Sequence, residues 1–435
     1  MRTRIALCAT ALSGLLVLGL APPAMAAPTT DRVSLSSAGA QANGGSNLGA
    51  PSANGRLVAF ESGASNLVAI DTNGTQDIFV RNRKSGNTAA VSRRSNGAEA
   101  NSFSSNPHIS DSGRWVGFSS FASNLIGLDG NGVSDAFVHD RKTKKTTRVS
   151  TRSNGGEANG PSTLQGISSD GRLVVFSSTA SNLVPGDSNG TSDVFVKNRK
   201  SGKTTRVSRR SNGAQGNSSS LLAAISPNGR YVTFASTATN LVPNDSNGLL
   251  DIFVHDRTNK KTRRVSVASN GTQANSSSQF SDVSNNGIVS FASFASNLVN
   301  NDTNAFWDGF VHNLNNGNTR RVSVSSALAQ GNGQSAIFGV PTISANGDRI
   351  AYDSQASNLV AGDTNANLDT FLYDRSSQTT RRVSVRFDGT QGNTAAVGGH
   401  VSSNGKFVSF LSNSTNLVGG DTNALNDSFI RGPVN

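Results

Sequence analysis

The chain has 435 residues, a formal charge of +12 and a single cysteine, Cys8. One cysteine excludes an internal disulfide and a zinc site built from several cysteines. The basic balance favours anionic partners, but it does not by itself define a fold.

The first 26 residues, "MRTRIALCATALSGLLVLGLAPPAMA", carry two arginines, an apolar stretch and a small-x-small end. This order is typical of a secretory signal peptide cleaved after Ala26. Its removal takes Arg2 and Arg4 with it and lowers the formal charge from +12 to +10. No other stretch is long and apolar enough to span a bilayer. We therefore expect residues 1–26 to be a signal peptide and residues 27–435 to form one secreted domain, either extracellular or associated with the cell envelope.

A repeat governs the rest of the chain. The tripeptide Ser/Thr-Asn-Leu places its asparagine at positions 66, 124, 182, 240, 297, 358 and 416, with spacings of 57 to 61 residues. A fixed period of this kind is the signature of a repeat architecture, so we expect seven equivalent units and no second domain.

Each unit reads as four strands, which we call a, b, c and d in chain order. In the third unit, "LQGIS" is followed by the turn "SDG", the alternating segment "RLVVFSS", a long polar loop, the strand "DVFVKNR", the turn "KSGK" and the strand "TTRVSRR". Aspartate-glycine between hydrophobic runs predicts a hairpin. Four-stranded antiparallel sheets repeated around an axis predict an all-β, seven-bladed β-propeller.

The two ends of the domain predict how the ring closes. The segment "DRVSLSS" near residue 31 matches strand d, and the chain ends on "NDSFIRGPVN", which matches strand c with no strand d after it. We therefore expect the N-terminal strand to complete the last blade, which leaves no open sheet edge between the first and last units.

The segments "SSDGRLVVFSS" and "DVFVKNRKSGKTTRVS" recur along residues 31–431. This pattern resembles the WD-type propeller family typified by the periplasmic TolB protein. The resemblance implies a propeller fold and says little about function, because propellers carry many unrelated activities.

Strand direction predicts which face of the disc binds. The short a–b and c–d turns fall on one face, and the long b–c loops and d–a links fall on the other. Long loops in compact domains are usually functional, so we expect the long-loop face to bind partners. Each d–a link carries Gln or Glu followed two residues later by Asn, which predicts a hydrogen-bonded belt between loops. The pairs are Gln41/Asn43, Glu99/Asn101, Glu157/Asn159, Gln215/Asn217, Gln273/Asn275, Gln330/Asn332 and Gln391/Asn393.

The b–c loops repeat Asp-x-Asn-x-x-x-Asp, a set of oxygen ligands that suits calcium. The string resembles the calcium loops of integrin-type propeller repeats, although it is shorter and lacks their middle acid. The alternative is that these residues build Asx turns and cap the loop. The candidate calcium ligands are Asp71, Asn73, Asp77, Asp129, Asn131, Asp135, Asp187, Asn189, Asp193, Asp245, Asn247, Asp251, Asp302, Asn304, Asp308, Asp363, Asn365, Asp369, Asp421, Asn423 and Asp427.

Other polar and aromatic residues give weaker signals. His108, Asp282 and His400 share one register of strand a, so they can meet in the central channel as a metal or acid–base cluster. Three further histidines in strand c are expected to face solvent, and recurrent phenylalanines in strands b and c to form the core between blades. Trp307 lies in the fifth Asp-x-Asn loop without a repeated counterpart, so we expect it to contact a partner. The strand-c histidines are His139, His255 and His312.

No ordered catalytic set accompanies these motifs, so the sequence favours a secreted, non-catalytic binding or scaffold module. Its expected partner is a protein or an anionic cell-surface polysaccharide, and nucleic acid is not expected. Two alternatives stay open: a multivalent lectin that uses calcium, and a hydrolase or lyase built on the propeller.

Overall fold

The computed structural model of the chain describes residues 27–434 except residues 48, 128 and 338. The predicted signal peptide, residues 1–26, lies outside the described residues, as does Asn435. The described strands number 28 and form seven four-stranded antiparallel sheets. The all-β, seven-bladed propeller predicted from the repeats is therefore confirmed, and each sheet is one blade.

Every blade has its strands in the predicted order, from the innermost strand a to the outermost strand d. Strands a are β2 (Ala50–Pro51), β6 (Ser104–Ile109), β10 (Ser162–Ile167), β14 (Ser220–Ile225), β18 (Ser278–Val283), β22 (Thr342–Ile343) and β26 (Ala396–Val401). Strands b are β3 (Leu57–Ser62), β7 (Trp115–Ser120), β11 (Leu173–Ser178), β15 (Tyr231–Ser236), β19 (Ile288–Ser293), β23 (Arg349–Ser354) and β27 (Val408–Ser412).

Strands c are β4 (Asp77–Asn82), β8 (Asp135–Asp140), β12 (Asp193–Asn198), β16 (Asp251–Asp256), β20 (Asp308–Asn313), β24 (Asp369–Asp374) and β28 (Asp427–Gly432). Strands d are β5 (Asn87–Ala90), β9 (Lys145–Arg148), β13 (Thr204–Arg206), β17 (Lys261–Arg264), β21 (Thr319–Arg321), β25 (Thr379–Arg382) and β1 (Thr29–Arg32). Blades 1 to 6 take four consecutive strands each, starting from β2, and blade 7 consists of β26, β27, β28 and β1.

Blade 7 joins the two ends of the chain. Strand β1 pairs antiparallel with β28, and Thr30 stands opposite Arg431 while Arg32 stands opposite Phe429. The predicted closure by the N-terminal strand is therefore confirmed. Pairing in this way removes the exposed edge that an open ring would present.

Strands b and c are more buried than the sequence alternation predicts. The "LVVFSS" segment of β11 is buried at all six positions, not at every second one. The reason is that both faces of a blade pack against neighbouring blades. Ring pairs between strands b and c, with centroids 5.6–6.0 Å apart, confirm the predicted core; they are Phe60–Phe79, Phe118–Phe137, Phe176–Phe195, Phe234–Phe253, Phe291–Phe310, Tyr352–Phe371 and Phe410–Phe429.

Hydrogen bonds place the connections on the two predicted faces. The Asp111 amide donates to the Ser169 carbonyl at 3.2 Å, which joins the a–b turns of blades 2 and 3. The Asn217 amide, in a d–a link, donates to Asn240 Oδ1 at 3.0 Å, in the next b–c loop. We call the face formed by b–c loops and d–a links the long-loop face. The described part of the chain contains no helix with the length and hydropathy needed to cross a membrane.

Bulges interrupt the innermost strands. The pairing of strands a and b shifts register in blades 2, 3, 4, 5 and 7. In three of these bulges a residue other than glycine has positive φ, namely Asn106 at 54°, Leu222 at 51° and Phe280 at 49°. Bulky residues rarely adopt this conformation, and it is found at functional sites more often than elsewhere. All three residues line the central cavity described below.

Candidate functional site

The third repeat shows how an Asp-x-Asn loop is built. Asn189 Oδ1 accepts the Thr191 amide at 3.1 Å, which forms an Asx turn, and its Nδ2 donates to the Gly216 carbonyl at 3.1 Å. Asp193 begins β12, is fully buried, and accepts the Ser208 hydroxyl on Oδ1 at 2.5 Å. The turn-building role predicted as the alternative is therefore confirmed for this loop.

A guanidinium lies between the two aspartates of the same loop. Arg206 Nη1 is 3.3 Å from Asp187 Oδ1 and 3.4 Å from Asp193 Oδ2, and the arginine side chain is only 10% exposed. Burial raises the pKa of Asp193, while hydrogen bonds from Ser208 and Gln215 and the charge of Arg206 oppose that rise. A cation supplied by the chain itself therefore lies between the two acids of this predicted calcium loop.

The same arrangement recurs in six blades. One arginine of strand d approaches both loop aspartates within 3.0–3.7 Å in each case; the sets are Arg32 with Asp421 and Asp427, Arg148 with Asp129 and Asp135, Arg206 with Asp187 and Asp193, Arg264 with Asp245 and Asp251, Arg321 with Asp302 and Asp308, and Arg382 with Asp363 and Asp369. The sequence analysis missed this partner, although an arginine directly before Val-Ser in six of the seven d strands was a readable signal.

Blade 1 departs from the pattern because Ala90 takes the place of the strand-d arginine. Burial raises the pKa of Asp71 to about 6, and the nearby charges of Asp77 and Glu99 raise it further while Arg93 lowers it. Arg93 comes from the following link, and its Nη2 lies 3.7 Å from Glu99 Oε1. This loop therefore contains acids that no strand-d guanidinium separates.

The belt predicted for the d–a links is confirmed. Gln215 Nε2 donates to Asp187 Oδ1 at 2.8 Å and to Asp193 Oδ2 at 2.9 Å, both in its own blade. Asn240 Nδ2 of the next blade donates to the Gln215 carbonyl at 3.0 Å. Each link thus fastens two neighbouring loops, and the repeated polar residues of the long-loop face mainly bond to one another.

A cavity of about 600 Å³ occupies the centre of the ring, and residues of all seven innermost strands line it. His108, Asp282 and His400 all line this cavity, as their shared register predicts. They pair with Gly117, Ser290 and Ser409 at equivalent places in blades 2, 5 and 7. The corresponding residues in the other blades are Ala50, Gly166, Ala224 and Thr342.

Asp282 is anchored by two backbone amides. Its Oδ1 accepts the Val283 amide at 2.8 Å, and its Oδ2 accepts the Ile343 amide of blade 6 at 2.9 Å. Burial raises the pKa of Asp282 to about 6, although these two hydrogen bonds oppose the rise. Thr342 makes the equivalent bond between blades with a hydroxyl, since its Oγ1 accepts the Val401 amide at 2.8 Å. The link between blades therefore does not require a carboxyl group.

The two cavity histidines are half-buried, and their ring nitrogens make no hydrogen bond to any residue in the described ranges. Burial lowers the pKa of His108 to about 4, and the charge of His400 lowers it further. Burial alone lowers the pKa of His400 to about 4. Both imidazoles are therefore neutral near pH 7 and remain available to a molecule in the cavity.

The cavity differs in charge from the rest of this basic chain. Glu61 and Asp111 line it together with Asp282, and its described lining includes no lysine or arginine. Glu61 Oε2 accepts the amide of the bulged residue Asn106 at 2.9 Å, so it also holds the bulge in place. With neutral histidines, the cavity is negative at pH 7.

Two pairs of aromatic rings lie on blades 2 and 5. Phe103 and Phe121 stack with centroids 4.7 Å apart and are 42% and 48% exposed. Phe294, which is 44% exposed, lies 5.9 Å from Trp307, which is half-buried. Trp307 thus lies where the sequence places it, in the fifth loop, and its role as a contact residue stays a prediction. The sequence analysis missed Phe103, Phe121 and Phe294, whose lack of repeated counterparts was the available signal.

The expectation that the strand-c histidines face solvent is wrong. His139, His255 and His312 are 4%, 1% and 6% exposed, and each ring Nδ1 lies 2.9 Å from a strand-d threonine hydroxyl. That threonine, Thr146 in blade 2, also donates to the Arg93 carbonyl of the preceding link. The link from the previous blade covers this face of strand c, so the side chain is enclosed.

Among the described residues, the one set of three histidine or acidic side chains with ligand atoms within 4.8 Å of one another is Asp129, Asp135 and Glu157. Arg148 Nη1 already contacts all three of these acids. His108, Asp282 and His400 do not meet this distance, so they do not fit a preformed metal site with three protein ligands. An acidic cluster is therefore present, but it surrounds an arginine.

No protein-family model matches the chain, and no curated protein sequence matches it. Solved structures do match in fold. An oligogalacturonate lyase from Vibrio parahaemolyticus matches with a TM-score of 0.51 and 11% identity, covering 94% of this chain and 97% of that chain. A second oligogalacturonate lyase structure, in complex with manganese, has the same TM-score and identity and covers 94% and 91%.

Two further propellers are similar. The propeller domain of the Trilobed protease from Pyrococcus furiosus has a TM-score of 0.53 and 11% identity, with 89% of this chain and 95% of that chain covered. A putative TolB from Agrobacterium tumefaciens has a TM-score of 0.40 and 14% identity, with 80% and 94% covered. The propeller fold that the predicted resemblance implies is confirmed by the matches with TM-scores of 0.51 to 0.53.

The main functional expectation is wrong. A non-catalytic binding module was expected, but the solved structures that match in fold over nearly the whole chain include enzymes, the oligogalacturonate lyases. The comparison favours the alternative of a hydrolase or lyase built on a propeller. At 11% identity the likeness shows fold alone. The activity of this chain therefore has to be argued from its own residues.

Proposed function

We propose that the chain is an enzyme of the hydrolase or lyase class and that its reaction takes place in the central cavity. The observation that carries this proposal is the meeting of His108, Asp282 and His400 on the wall of one cavity. Alanine, glycine or threonine occupies the same register in the other blades, so the scaffold does not require ionisable groups there. Ionisable residues with shifted pKa values in a cavity are typical of active sites.

The protonation states suit acid–base chemistry at mildly acidic pH. With a pKa of about 4, the imidazoles of His108 and His400 are neutral proton acceptors above that pH. With a pKa of about 6, the Asp282 carboxyl group keeps a proton to donate below that pH. A neutral base and a protonated acid therefore coexist between these two values, which is the condition that general acid–base catalysis requires.

The oligogalacturonate lyases support the choice of reaction class, because they are enzymes whose propellers extend over nearly the same length as this one. Manganese is not transferred with that likeness, since the three cavity residues do not form a site with three close ligand atoms. The proposed roles therefore belong to protein side chains alone: the two imidazoles accept a proton, and the Asp282 carboxyl donates one.

Turnover assays on the domain from residue 27 onward test the proposal. Glycans, esters and peptides are supplied as substrates near pH 5, and new reducing ends, acids, amines or unsaturated products are measured. D282T, H108A and H400A copy residues that other blades already carry at this register, so we expect them to fold with an unchanged melting temperature. We expect each to lower the rate by about 100-fold or more. Activity that survives all three substitutions contradicts the proposal.

Calcium binding by the Asp-x-Asn loops is a separate proposal, and blade 1 is where it is tested most directly. Asp71, Asp77 and Glu99 lie there without a strand-d guanidinium between them. We expect saturating calcium to raise the melting temperature of the wild-type chain and to leave that of D71N unchanged. No shift in the wild-type chain contradicts the proposal.

We also propose that the enzyme acts outside the cytoplasm, because the first 26 residues have the features of a signal peptide. Expression of the full chain in a secreting bacterial host, followed by intact-mass measurement of the exported product, tests this proposal. A product that begins at Ala27 supports it, and an uncleaved chain retained in the cytoplasm contradicts it.

A further inference from the structure

Three phenylalanine rings on blades 2 and 5 are not buried in the core, although Trp307 beside one of them packs against it. Phe103, Phe121 and Phe294 each leave more than two fifths of their surface exposed, which is unusual for phenylalanine in a domain with a complete core. At the position of Phe121 and Phe294 the other blades carry Gly63, Thr179, Thr237, Gln355 and Asn413. The scaffold therefore does not need an aromatic residue there, and exposed apolar groups of this kind mark interaction sites.

We call the ring pair Phe103–Phe121 and the ring pair Phe294–Trp307 the two platforms. Both are held at the long-loop end of their blades by equivalent backbone bonds. The Phe121 amide donates to the Phe103 carbonyl at 3.2 Å, and the Phe294 amide donates to the Ser277 carbonyl at 3.0 Å. Blades 2 and 5 are three positions apart in a ring of seven, so the platforms stand on nearly opposite sides of the axis.

Each platform is joined to the cavity by a short stretch of strand a. Phe103 precedes the cavity-lining Asn106 by three residues, and Ser277, which bonds to Phe294, precedes the cavity-lining Phe280 by three residues. Three residues of strand span about 10 Å. Both lining residues have positive φ at a bulge. In the same two strands, two residues further along, lie His108 and Asp282.

Blades 2 and 5 therefore share three features: an aromatic ring pair with exposed rings, a bulge in which a residue other than glycine has positive φ, and an ionisable group at the common register. Blade 4 has a bulge of the same kind but neither of the other two features. The occupant must suit flat apolar rings outside and a negatively charged cavity with a few polar side chains inside. Sugar rings offer apolar C–H faces that stack on aromatic rings and hydroxyl groups that bond to polar linings. Glu61 and Asp111 repel anions, and no lysine or arginine of the described lining compensates for them.

We propose that the substrate is a neutral glycan chain that is held by the platforms on the long-loop face and extends one end into the cavity between them, to the register of His108 and Asp282. This inference rests on the proposed function, because it names the substrate of the same cavity. A uronate polymer is disfavoured, since its carboxylates would meet carboxylates and no cation.

For such a substrate the reaction is hydrolysis of a glycosidic bond. Water attacks the anomeric carbon and loses one proton to a neutral imidazole, His108 or His400. The bond between the anomeric carbon and the glycosidic oxygen breaks, and the Asp282 carboxyl group donates its proton to that oxygen. Two hydroxyl-bearing sugars leave, and proton exchange with solvent restores the imidazole and the carboxyl group.

Tryptophan fluorescence gives a direct binding assay. The chain has two tryptophans, so W115F leaves Trp307, in one platform, as the single reporter. In this background, neutral β-glucan, xylan and mannan oligosaccharides are titrated beside oligogalacturonate and an unstructured peptide. We expect the neutral chains to change the Trp307 emission and the other two probes to leave it unchanged. No response to any neutral chain overturns the inference, and so does a response to oligogalacturonate or peptide alone.

The platform variants give the second readout. F121T and F294T introduce the threonine found at this position in blades 3 and 4, and F387A removes an exposed ring outside both platforms. Because an aromatic stacking contact is worth about 0.5–1.5 kcal/mol, we expect each platform variant to weaken binding by roughly two- to twelvefold. We expect F387A to leave binding unchanged. Unchanged affinity in F121T and F294T, or an equal loss in F387A, overturns the inference.

The two proposals fail in different ways. Neutral glycans that bind through the platforms but are never cleaved contradict the proposed enzyme and leave the occupant of the platforms correct. Cleavage of another substrate class that requires Asp282 but not the platforms supports the enzyme and overturns the inference about its substrate.

Discussion

The Asp-x-Asn loops and the central cavity both contain buried carboxyl groups, but the groups around these carboxyls differ. In the third blade, Asp187 and Asp193 face the guanidinium of Arg206, which lies within 3.4 Å of both. In the cavity, Asp282 accepts two backbone amides and shares the cavity wall with Glu61 and Asp111. In six blades the loops place a guanidinium beside their carboxyl groups, while the described lining of the cavity contains no lysine or arginine.

This difference distinguishes residues that hold the fold together from residues that are candidates for function. The loop network recurs in six blades, so it explains how neighbouring blades are held together. Its polar groups bond mainly to one another. The cavity groups occur once each, in blades 2, 5 and 7, against a background of alanine, glycine and threonine. In a repeat protein, the residues that break the repeat are the ones that the scaffold does not account for.

The largest effect is expected on turnover, from a substitution in the cavity. We expect the pH dependence of kcat/KM to be bell-shaped, with limbs near the pKa values of about 4 for His108 and His400 and about 6 for Asp282. D282T is expected to lower kcat by about 10²–10⁴-fold. Residual turnover should lose the limb near pH 6 and keep the limb near pH 4. Steady-state kinetics between pH 3 and 8 measure both limbs, and an upper limb unmoved in D282T rejects the acid role.

The next largest effect is expected on stability, from a substitution in an Asp-x-Asn loop network. R206A leaves Asp187 and Asp193 buried without their cation, so we expect the free energy of unfolding to fall by about 3–5 kcal/mol at pH 7. Urea unfolding measures the change. R172A is the matched control, because the Arg172–Asp170 pair is 51% and 60% exposed and is worth less than about 1 kcal/mol. Equal effects of the two variants are incompatible with a buried network.

A smaller effect on stability is expected where the loop of blade 1 differs from those of the other six blades. The pKa of Asp71 in the folded state, about 6, lies above its ordinary value of 3.8. The folded state thus binds this proton more tightly than the unfolded chain, and stability falls as the pH rises from about 4 to 6. The substitution A90R supplies the arginine that the other six blades have. Its charge lowers the pKa of Asp71 and so removes this loss of stability.

We therefore expect A90R to raise the melting temperature at pH 8 and to leave it nearly unchanged at pH 4. Thermal unfolding at the two pH values tests this. S201R adds the same charge in an exposed c–d turn and serves as the control. A gain of equal size at both pH values, or in S201R, would show that Asp71 is not the group relieved.

Much of the fold could be predicted from sequence because it rests on repetition. The period near 58 residues and the incomplete last unit were sufficient for seven blades and for closure by the first strand. What failed depends on contacts between blades. His139 was expected in solvent because alternation along one strand does not reveal that the preceding link covers it.

The candidate site could be predicted only in part. A shared register was enough to bring His108, Asp282 and His400 to one cavity. The stacking of Phe103 on Phe121 could not be predicted in the same way, because it joins a d–a link to a b–c loop across 18 positions. The bulges that turn Asn106 and Phe280 toward the cavity leave no mark in the hydrophobic pattern, since a bulge adds an unpaired residue without changing the composition.

The pairing of β1 with β28 in blade 7 sets the order in which the fold can be completed. Asp427, at the start of β28, accepts hydrogen bonds from Arg32, Ser34 and Gln41, which follow or belong to β1. Blades 1 to 6 can assemble as the chain emerges, but β1 has no partner strand until β28 has been made. The ring therefore cannot close before then, and the cavity wall lacks His400 until β26 has been made.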